Sequence, residues 1–188
     1  KCGWMQNCNS SPFSTSSTGQ NPIRKNFPSY IGRDDRDNNR VKISKAILGR
    51  QKKISFEDLL ALAWDTRVLE ADKWIPSLAK ALQEFEQEDT KTKLKPVVQA
   101  LSKWDRKVTQ TSSAATLFHL WYERSASKIR QSSLTKKTAI ENLESVVDEL
   151  VRDFKKWDVG YGDLFRHQRP DAAGKFAGDK GKSFPIVG

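Results

Sequence analysis

Cysteine is scarce in this chain of 188 residues, which has only Cys2 and Cys8. Two cysteines without CxxC spacing predict neither a disulfide framework nor a cysteine metal site. If residues 2 to 8 are extended, their Cα atoms lie roughly 20 Å apart, whereas a disulfide needs about 4.4 to 6.8 Å. A bridge between them would contradict an extended segment, so the redox compartment stays open.

Histidine is equally scarce, because only His119 and His167 could serve a Ser-His-Asp triad. No GxSxG motif precedes either one. His119 lies in a predicted helix, where a packed or partly exposed position is a simpler interpretation than a catalytic base. Walker, GxGxxG, HExxH and EF-hand motifs are missing too. As a free-standing enzyme, the chain lacks an obvious nucleophile and base.

Long apolar runs are missing, since no stretch approaches the roughly 20 residues that a membrane-spanning helix needs. The amino terminus lacks the hydrophobic core of a signal peptide, so any such peptide would lie upstream of Lys1. From these two absences we expect a soluble chain.

Positive charge is in excess, with 33 Lys and Arg against 23 Asp and Glu, a net charge of +10. Such a surface attracts nucleic acid, anionic membranes or acidic chains. Most basic residues alternate with acidic ones, however, which is typical of solvated helical faces. The tail also mixes cations with phenylalanine, a weak single-strand nucleic-acid pattern formed by Phe165, Arg166, His167, Arg169, Lys175, Phe176, Lys180, Lys182 and Phe184. A basic helical interaction module that binds a polyanion or nucleic acid is therefore the alternative function.

Residues 1–40 are predicted to form a short strand and a long loop. From Gly3 to Asn9 the side chains alternate, so one face would carry Trp4, Gln6 and Cys8 and the other Met5, Asn7 and Asn9. A segment rich in Ser, Thr, Asn, Gly and Pro follows, with prolines at positions 12, 22 and 28. Loops of this length are often functional or covered by a partner.

Residues 41–157 are predicted to be helical. A 3.6-residue period predicts a short helix that ends at Gly49, and Ser55 with Asp58 forms a capping box for the next helix. That helix should run to about Lys73 or Trp74, and Pro76 should kink or restart it through Leu82.

Later helix starts are also marked in the sequence. Pro96 should open a helix, Ser112 or Ser113 should cap another, and Thr135 should precede an amphipathic helix over residues 136–157. Four tryptophans should form the helical core: Trp64, Trp74, Trp104 and Trp121. Residues 158–188 read as an extended glycine-rich tail. The predicted fold class is mainly α, a helical fragment with short flanking strands.

Six segments in order resemble the middle-to-late part of the large chain of penicillin acylases and related N-acyl amide hydrolases. They are "WMQNCNSSPF", "RVKISKAIL", "ISFEDLLALAWDTRVLEADKWIPSL", "ALSKWD", "SSAATLFHLWYER" and "YGDLFRHQRP". The family belongs to the N-terminal-nucleophile hydrolases. The resemblance implies a fragment cut from an αββα core, with a tail that leads back to the sheet, in a periplasmic or secreted protein.

In this family a precursor cleaves itself, so that a serine becomes the first residue of the large chain and its α-amino group assists as base. Lys1 is not that serine. The resemblance therefore implies an internal piece, inactive alone, whose partners are an N-acyl amide substrate, the small chain and the serine-bearing start of the large chain.

The resemblance places an oxyanion-hole asparagine at Asn9, because a carboxamide NH2 is a neutral donor that can face a developing negative charge. A cap of the following turn is the simpler interpretation of the same residue. The family's supporting arginine matches Arg40, or Arg36 in another register, and it would donate to the asparagine carbonyl oxygen. Solvated surface charge is the competing interpretation of Arg40.

The family's calcium site, where present, takes a carboxylate shortly after a proline near this loop. Here Pro28 is followed by Ser29, Tyr30 and Ile31, and Asp34 or Asp35 could substitute only in a reshaped loop. We therefore expect no cofactor or metal ligand in this chain, while calcium stays possible in the parent protein. Phe13 and the four helical tryptophans are candidates for lining an acyl pocket.

Overall fold

The computed structural model describes residues 3–17, 19–32, 37–50, 53–176, 178 and 181–187, and over these residues the chain is mainly helical, as predicted. It divides into two compact units, Lys1–Asp65 and Thr66–Gly188. This division falls inside the segment 41–157 that the sequence groups as one helical region. Each unit is described by itself.

Over its described residues, the first unit contains a long irregular loop with one 3-10 turn (Arg24–Asn26) and two α-helices, α1 (Asn39–Leu48) and α2 (Phe56–Ala63). The side chain of Asn38 caps α1 by accepting from the Val41 amide, and Gly49 follows its last residue, as predicted. The predicted capping box of α2 is also present, because Ser55 accepts from the Asp58 amide and Asp58 accepts from the Ser55 amide.

The predicted strand over residues 3–9 is wrong, since the structure assigns no strand there. A strand needs a partner for its backbone groups, and the Gln6 amide makes one such bond, to the Thr15 carbonyl at 3.0 Å. The predicted alternation of the faces still holds for burial. Gln6 is buried with Trp4 and Cys8 half-buried, whereas Met5, Asn7 and Asn9 are exposed.

Helix α2 ends at Ala63, so its predicted extension to Lys73 or Trp74 is wrong. The chain instead becomes extended at 66–68 and pairs with 106–108, where Val68 N donates to Arg106 O at 2.8 Å and Val108 N donates to Thr66 O at 3.2 Å. This pairing between distant residues outweighs the local helical pattern.

Where it is described, the second unit packs five helices: α3 (Leu69–Gln83), α4 (Glu88–Lys103), α5 (Ser113–Arg130), α6 (Lys136–Phe154) and the single turn α7 (Tyr161–Leu164). Ser112 caps α5 and Thr135 caps α6, as predicted. Helix α6 ends at Phe154 rather than at residue 157, because Lys155 adopts a left-handed conformation with φ of 63°.

Both internal prolines lie within helices, so the predicted start at Pro96 is wrong, and so is a restart at Pro76, one of the two outcomes predicted there. A proline removes one helical hydrogen bond, but the buried face of each helix continues across it. Ile75 and Leu78 are buried on either side of Pro76, and Leu94 and Val97 on either side of Pro96. Packing of these faces compensates for the missing bond.

The core of the second unit is aromatic as well as aliphatic. Trp121 is fully buried, its Nε1 donates to the Ala139 carbonyl at 2.9 Å, and its ring lies 6.0 Å from that of the half-buried Trp74. Trp104 is also half-buried and packs against Phe118. The prediction that Trp64 belongs to the core is wrong, because it is 82% exposed. It directly follows the last residue of α2, outside the helical register that its prediction assumed.

The tail is less regular but does return on itself. Strand β1 (Arg166–His167) pairs antiparallel with strand β2 (Phe184–Pro185). Gly162 allows this approach, because a Cβ there would lie 2.8 Å from the Cβ of Pro185. Across the described ranges of the chain, no helix is long and apolar enough to cross a bilayer.

Candidate functional site

Asn9 and Arg40 meet directly in the first unit. The Nη2 atom of the Arg40 guanidinium donates to Asn9 Oδ1 at 2.8 Å, although the two residues lie 31 positions apart. Arg40 is the second residue of α1, so the helix fixes its backbone. The structure thus brings together the two residues that the sequence singles out.

The backbone of Asn9 is left-handed, with φ of 58°. Asparagine tolerates this conformation better than most residues. Its amide donates to Asn7 Oδ1 at 3.0 Å, so the turn here is capped by the Asn7 side chain. Both side chains are exposed, and no partner is recorded for Asn9 Nδ2 among the described residues.

Asn38 connects the start of α1 to the residue before Asn9. Its Oδ1 accepts from Val41 N at 3.1 Å, while its Nδ2 donates to the Cys8 carbonyl at 2.8 Å. One side chain therefore caps the helix and holds the segment that carries Asn9. The sequence analysis predicts neither role, although an asparagine just before a helix is a local signal that could have indicated the cap.

A charged cluster ties the loop to the same helix. Lys45 on α1 pairs with Asp37 at 2.7 Å, and the Ser14 hydroxyl donates to Asp37 while it accepts from Lys45. The hydrogen bond from Lys45, and next that from Ser14, holds the pKa of Asp37 below its ordinary value.

Two further amides organise the loop itself. Asn21 Oδ1 accepts from the backbone amides of Thr15 at 3.0 Å and Ser16 at 2.9 Å. Gln6 Nε2 donates to the Ser14 carbonyl at 3.0 Å. Sequence reasoning missed both roles. The only available signal was the number of side-chain amides in a polar loop, where each amide offers donors and an acceptor to an unpaired backbone.

A cavity of about 420 Å³ opens between α1 and α2. Its lining includes six apolar side chains: Ile43, Ile47, Leu48, Leu59, Leu62 and Ala63. Arg40 and Cys8 line it as well, so it adjoins both the guanidinium that holds Asn9 and the residue that precedes Asn9. Cys8 Sγ lies 3.4 Å from the Ser44 hydroxyl.

The structure places only some of the other predicted residues. Arg36, Asp34, Asp35, Lys180 and Cys2 lie outside the described residues, so the other arginine register, the reshaped calcium loop and the Cys2 to Cys8 distance are not described. Phe13 packs against Phe27 at 5.8 Å between ring centres and does not line the cavity. Within the described ranges, no group of three or more metal-ligating side chains occurs.

Part of the basic and aromatic tail contacts its own unit. Phe165 packs on the Tyr161 and His119 rings, at 4.3 and 4.6 Å between ring centres. Arg166 donates to the Gly162 carbonyl at 2.9 Å and to the Ser183 carbonyl at 3.0 Å. His119 is therefore a half-buried packed residue, as the sequence predicts.

Comparison with known protein families matches one family model, described as Penicillin amidase, to residues 1–175 of this chain. The match covers both the loop that carries Asn9 and nearly all of the helical second unit.

Proposed function

The chain belongs to the penicillin amidase family, and from that premise we propose that it supplies the oxyanion-binding residue, Asn9, of an N-acyl amide hydrolase. The substrate is a linear amide, and the reaction passes through an acyl-enzyme. The attacking serine hydroxyl comes from another segment of the parent protein, together with the small chain. The parent is periplasmic or secreted, and any calcium it holds is bound outside this chain.

In the proposed reaction, the serine oxygen bonds to the acyl carbon and its proton passes to the α-amino group of the same serine. The carbonyl oxygen becomes an oxyanion, which accepts a hydrogen bond from Asn9 Nδ2. The carbon–nitrogen bond then breaks, and the amine leaves with the proton. Water releases the acyl group as a carboxylic acid and restores the hydroxyl.

One observation supports this role above the others, the contact between Arg40 and Asn9 Oδ1 at 2.8 Å. A guanidinium can only donate, so the oxygen of the carboxamide must face Arg40. The NH2 group is then directed elsewhere as a donor. It is neutral, whereas an aspartate at this position would repel an oxyanion.

A purely structural role for the hydrogen bond between Asn9 and Arg40 predicts a different effect of substitution from a role as oxyanion donor. An exposed hydrogen bond contributes only about 0.5 to 1.5 kcal/mol to stability. Removal of an oxyanion donor lowers turnover by about 10²- to 10³-fold. Turnover and stability measured on the same variants therefore separate the two.

The test is Asn9→Asp in the full parent protein, since aspartate has the same shape, tolerates the left-handed backbone and still accepts from Arg40. We expect turnover to fall by about 10²-fold or more with an unchanged circular dichroism spectrum. Asn9→Ala should lose similar activity, with added strain at φ of 58°. Asn39→Asp, an exposed neighbour on α1, is the matched control. Turnover of Asn9→Asp within a few-fold of the control would remove Asn9 from the mechanism.

A further inference from the structure

We propose that the cavity between α1 and α2 binds an aliphatic chain of the amide substrate while its carbonyl lies at Asn9. The inference rests on the proposed function for the identity of the substrate. It adds a binding site and the chemical class of group that the site takes.

The chemistry of the lining favours a hydrocarbon. Among the side chains that line the cavity, Ile43, Ile47 and Leu48 on α1 face Leu59, Leu62 and Ala63 on α2, and none of the lining residues is aromatic. Its volume of about 420 Å³ falls within the range of small-molecule sites. A flexible alkyl chain can fill such a space and gain from every methylene that it buries.

The charges around the cavity favour a neutral occupant. Arg40 and Asp65, of opposite sign, both line it. The Ser44 hydroxyl is within 3.4 Å of Cys8 Sγ, so this polar group of the wall already has a partner. An uncharged amide with an alkyl chain therefore matches the site better than a fatty acid or an alkylammonium ion.

Because the cavity adjoins Asn9, the alkyl chain that it binds should belong to the amide substrate. Arg40 contacts Asn9 Oδ1 and lines the cavity, and Cys8 lines it one residue before Asn9. A group bound there would lie beside the carboxamide. A substrate could thus place its carbonyl at Asn9 and its chain against Leu59 and Leu62 at the same time.

Cys8 provides a reporter that does not depend on catalysis. In the 188-residue chain carrying Cys2→Ser, the rate of Cys8 alkylation by iodoacetamide is measured with three neutral amides. N-methylnonanamide carries an octyl chain on the acyl side, N-octylacetamide carries the same chain on the amine side, and N-methylacetamide has no chain. We expect an octyl amide to slow alkylation and N-methylacetamide to leave it unchanged. The more effective octyl amide identifies the side of the amide bond that the cavity accepts.

Chain length gives a quantitative criterion. From N-methylbutanamide to N-methylnonanamide, or along the corresponding N-alkylacetamides, the half-protecting concentration should fall about fourfold per methylene, equivalent to about 0.8 kcal/mol. Ala63→Phe should fill the cavity and abolish protection. Ala61→Phe on the same helix, exposed and outside the lining, is the matched control and should retain it. Circular dichroism confirms that both variants fold.

Each outcome decides the proposal. Protection that grows with chain length and disappears only in Ala63→Phe supports it. Equal rates with all amides, or full protection in a folded Ala63→Phe variant, would overturn it. The alkylation of Cys8 needs no turnover. If Asn9→Asp keeps its turnover, the proposed role of Asn9 is wrong, and if the amides do not protect Cys8, the proposed role of the cavity is wrong. The two results are independent.

Discussion

The side chain of Asn38 donates to the Cys8 carbonyl at 2.8 Å, so the residue that caps α1 also holds the segment that carries Asn9. The two roles use different atoms, and substitution can separate them. Asn38→Asp keeps the capping oxygen and loses the donor to Cys8.

Asn38→Asp should therefore lose the contribution of the Cys8 bond, about 0.5 to 1.5 kcal/mol, whereas Asn38→Ala should lose about 1 kcal/mol more because its cap is removed too. We expect both to lower the turnover of the parent protein, because Asn9 is less firmly positioned in both. Urea unfolding and kcat measure the two effects. A fully active Asn38→Asp variant would contradict the positioning role.

Arg40 should act on turnover through Asn9. Arg40→Ala releases Asn9 Oδ1, and the misplaced carboxamide should lower kcat by about 10- to 100-fold. In a double-mutant cycle, Arg40→Ala should change kcat little once Asn9→Ala is present. Lys42→Ala, exposed on the same helix, is the control. Additive losses would mean that Arg40 contributes independently of Asn9.

The Asp37–Lys45 pair should make the first unit sensitive to acid. Hydrogen bonds from Lys45 and Ser14 lower the pKa of Asp37 below its ordinary 3.8. A lowered folded-state pKa contributes stability above the unfolded value, and that contribution disappears as the pH falls through the folded value. From about pH 6 to about pH 2, the free energy of unfolding should therefore decline less in Asp37→Asn than in the unsubstituted chain. An equal decline in Asp37→Asn would contradict this account.

Two tryptophans in contact should differ in their sensitivity to substitution. Trp121→Phe loses the bond to the Ala139 carbonyl and opens space in a fully buried site, which should cost about 2 to 4 kcal/mol. Trp74 Nε1 is buried without a recorded acceptor among the described residues, so Trp74→Phe removes an unpaired donor and should cost less. Urea unfolding ranks them. An equal or larger loss in Trp74→Phe would contradict this account.

Local signals were read correctly from the sequence where the interaction itself is local. The caps at Ser55, Ser112 and Thr135 involve atoms within three residues, so composition alone predicts them. The end of α2 depends on pairing between residues 66–68 and 106–108, which no window of neighbouring residues contains. The prolines misled for a related reason, because packing across Pro76 and Pro96 is a property of the whole core.

The candidate site also has a part that was predicted from the sequence and a part that was not. Asn9 and Arg40 were chosen by resemblance to a family, since an exposed asparagine and an exposed arginine carry no signal of their own. The Asn38 contact with Cys8 and the apolar cavity were not predicted. Each requires two segments to meet, and spacing along the chain does not report which loop faces which helix.

The left-handed backbone at Asn9 has a consequence for which residues position 9 accepts. Glycine would adopt that conformation at no steric cost, and asparagine tolerates it, whereas β-branched residues strain it. A saturation library selected first for folding should retain glycine beside asparagine, and a second selection for amide hydrolysis should discard glycine. The position would thus record two separate demands, one on the shape of the chain and one on a single amide group.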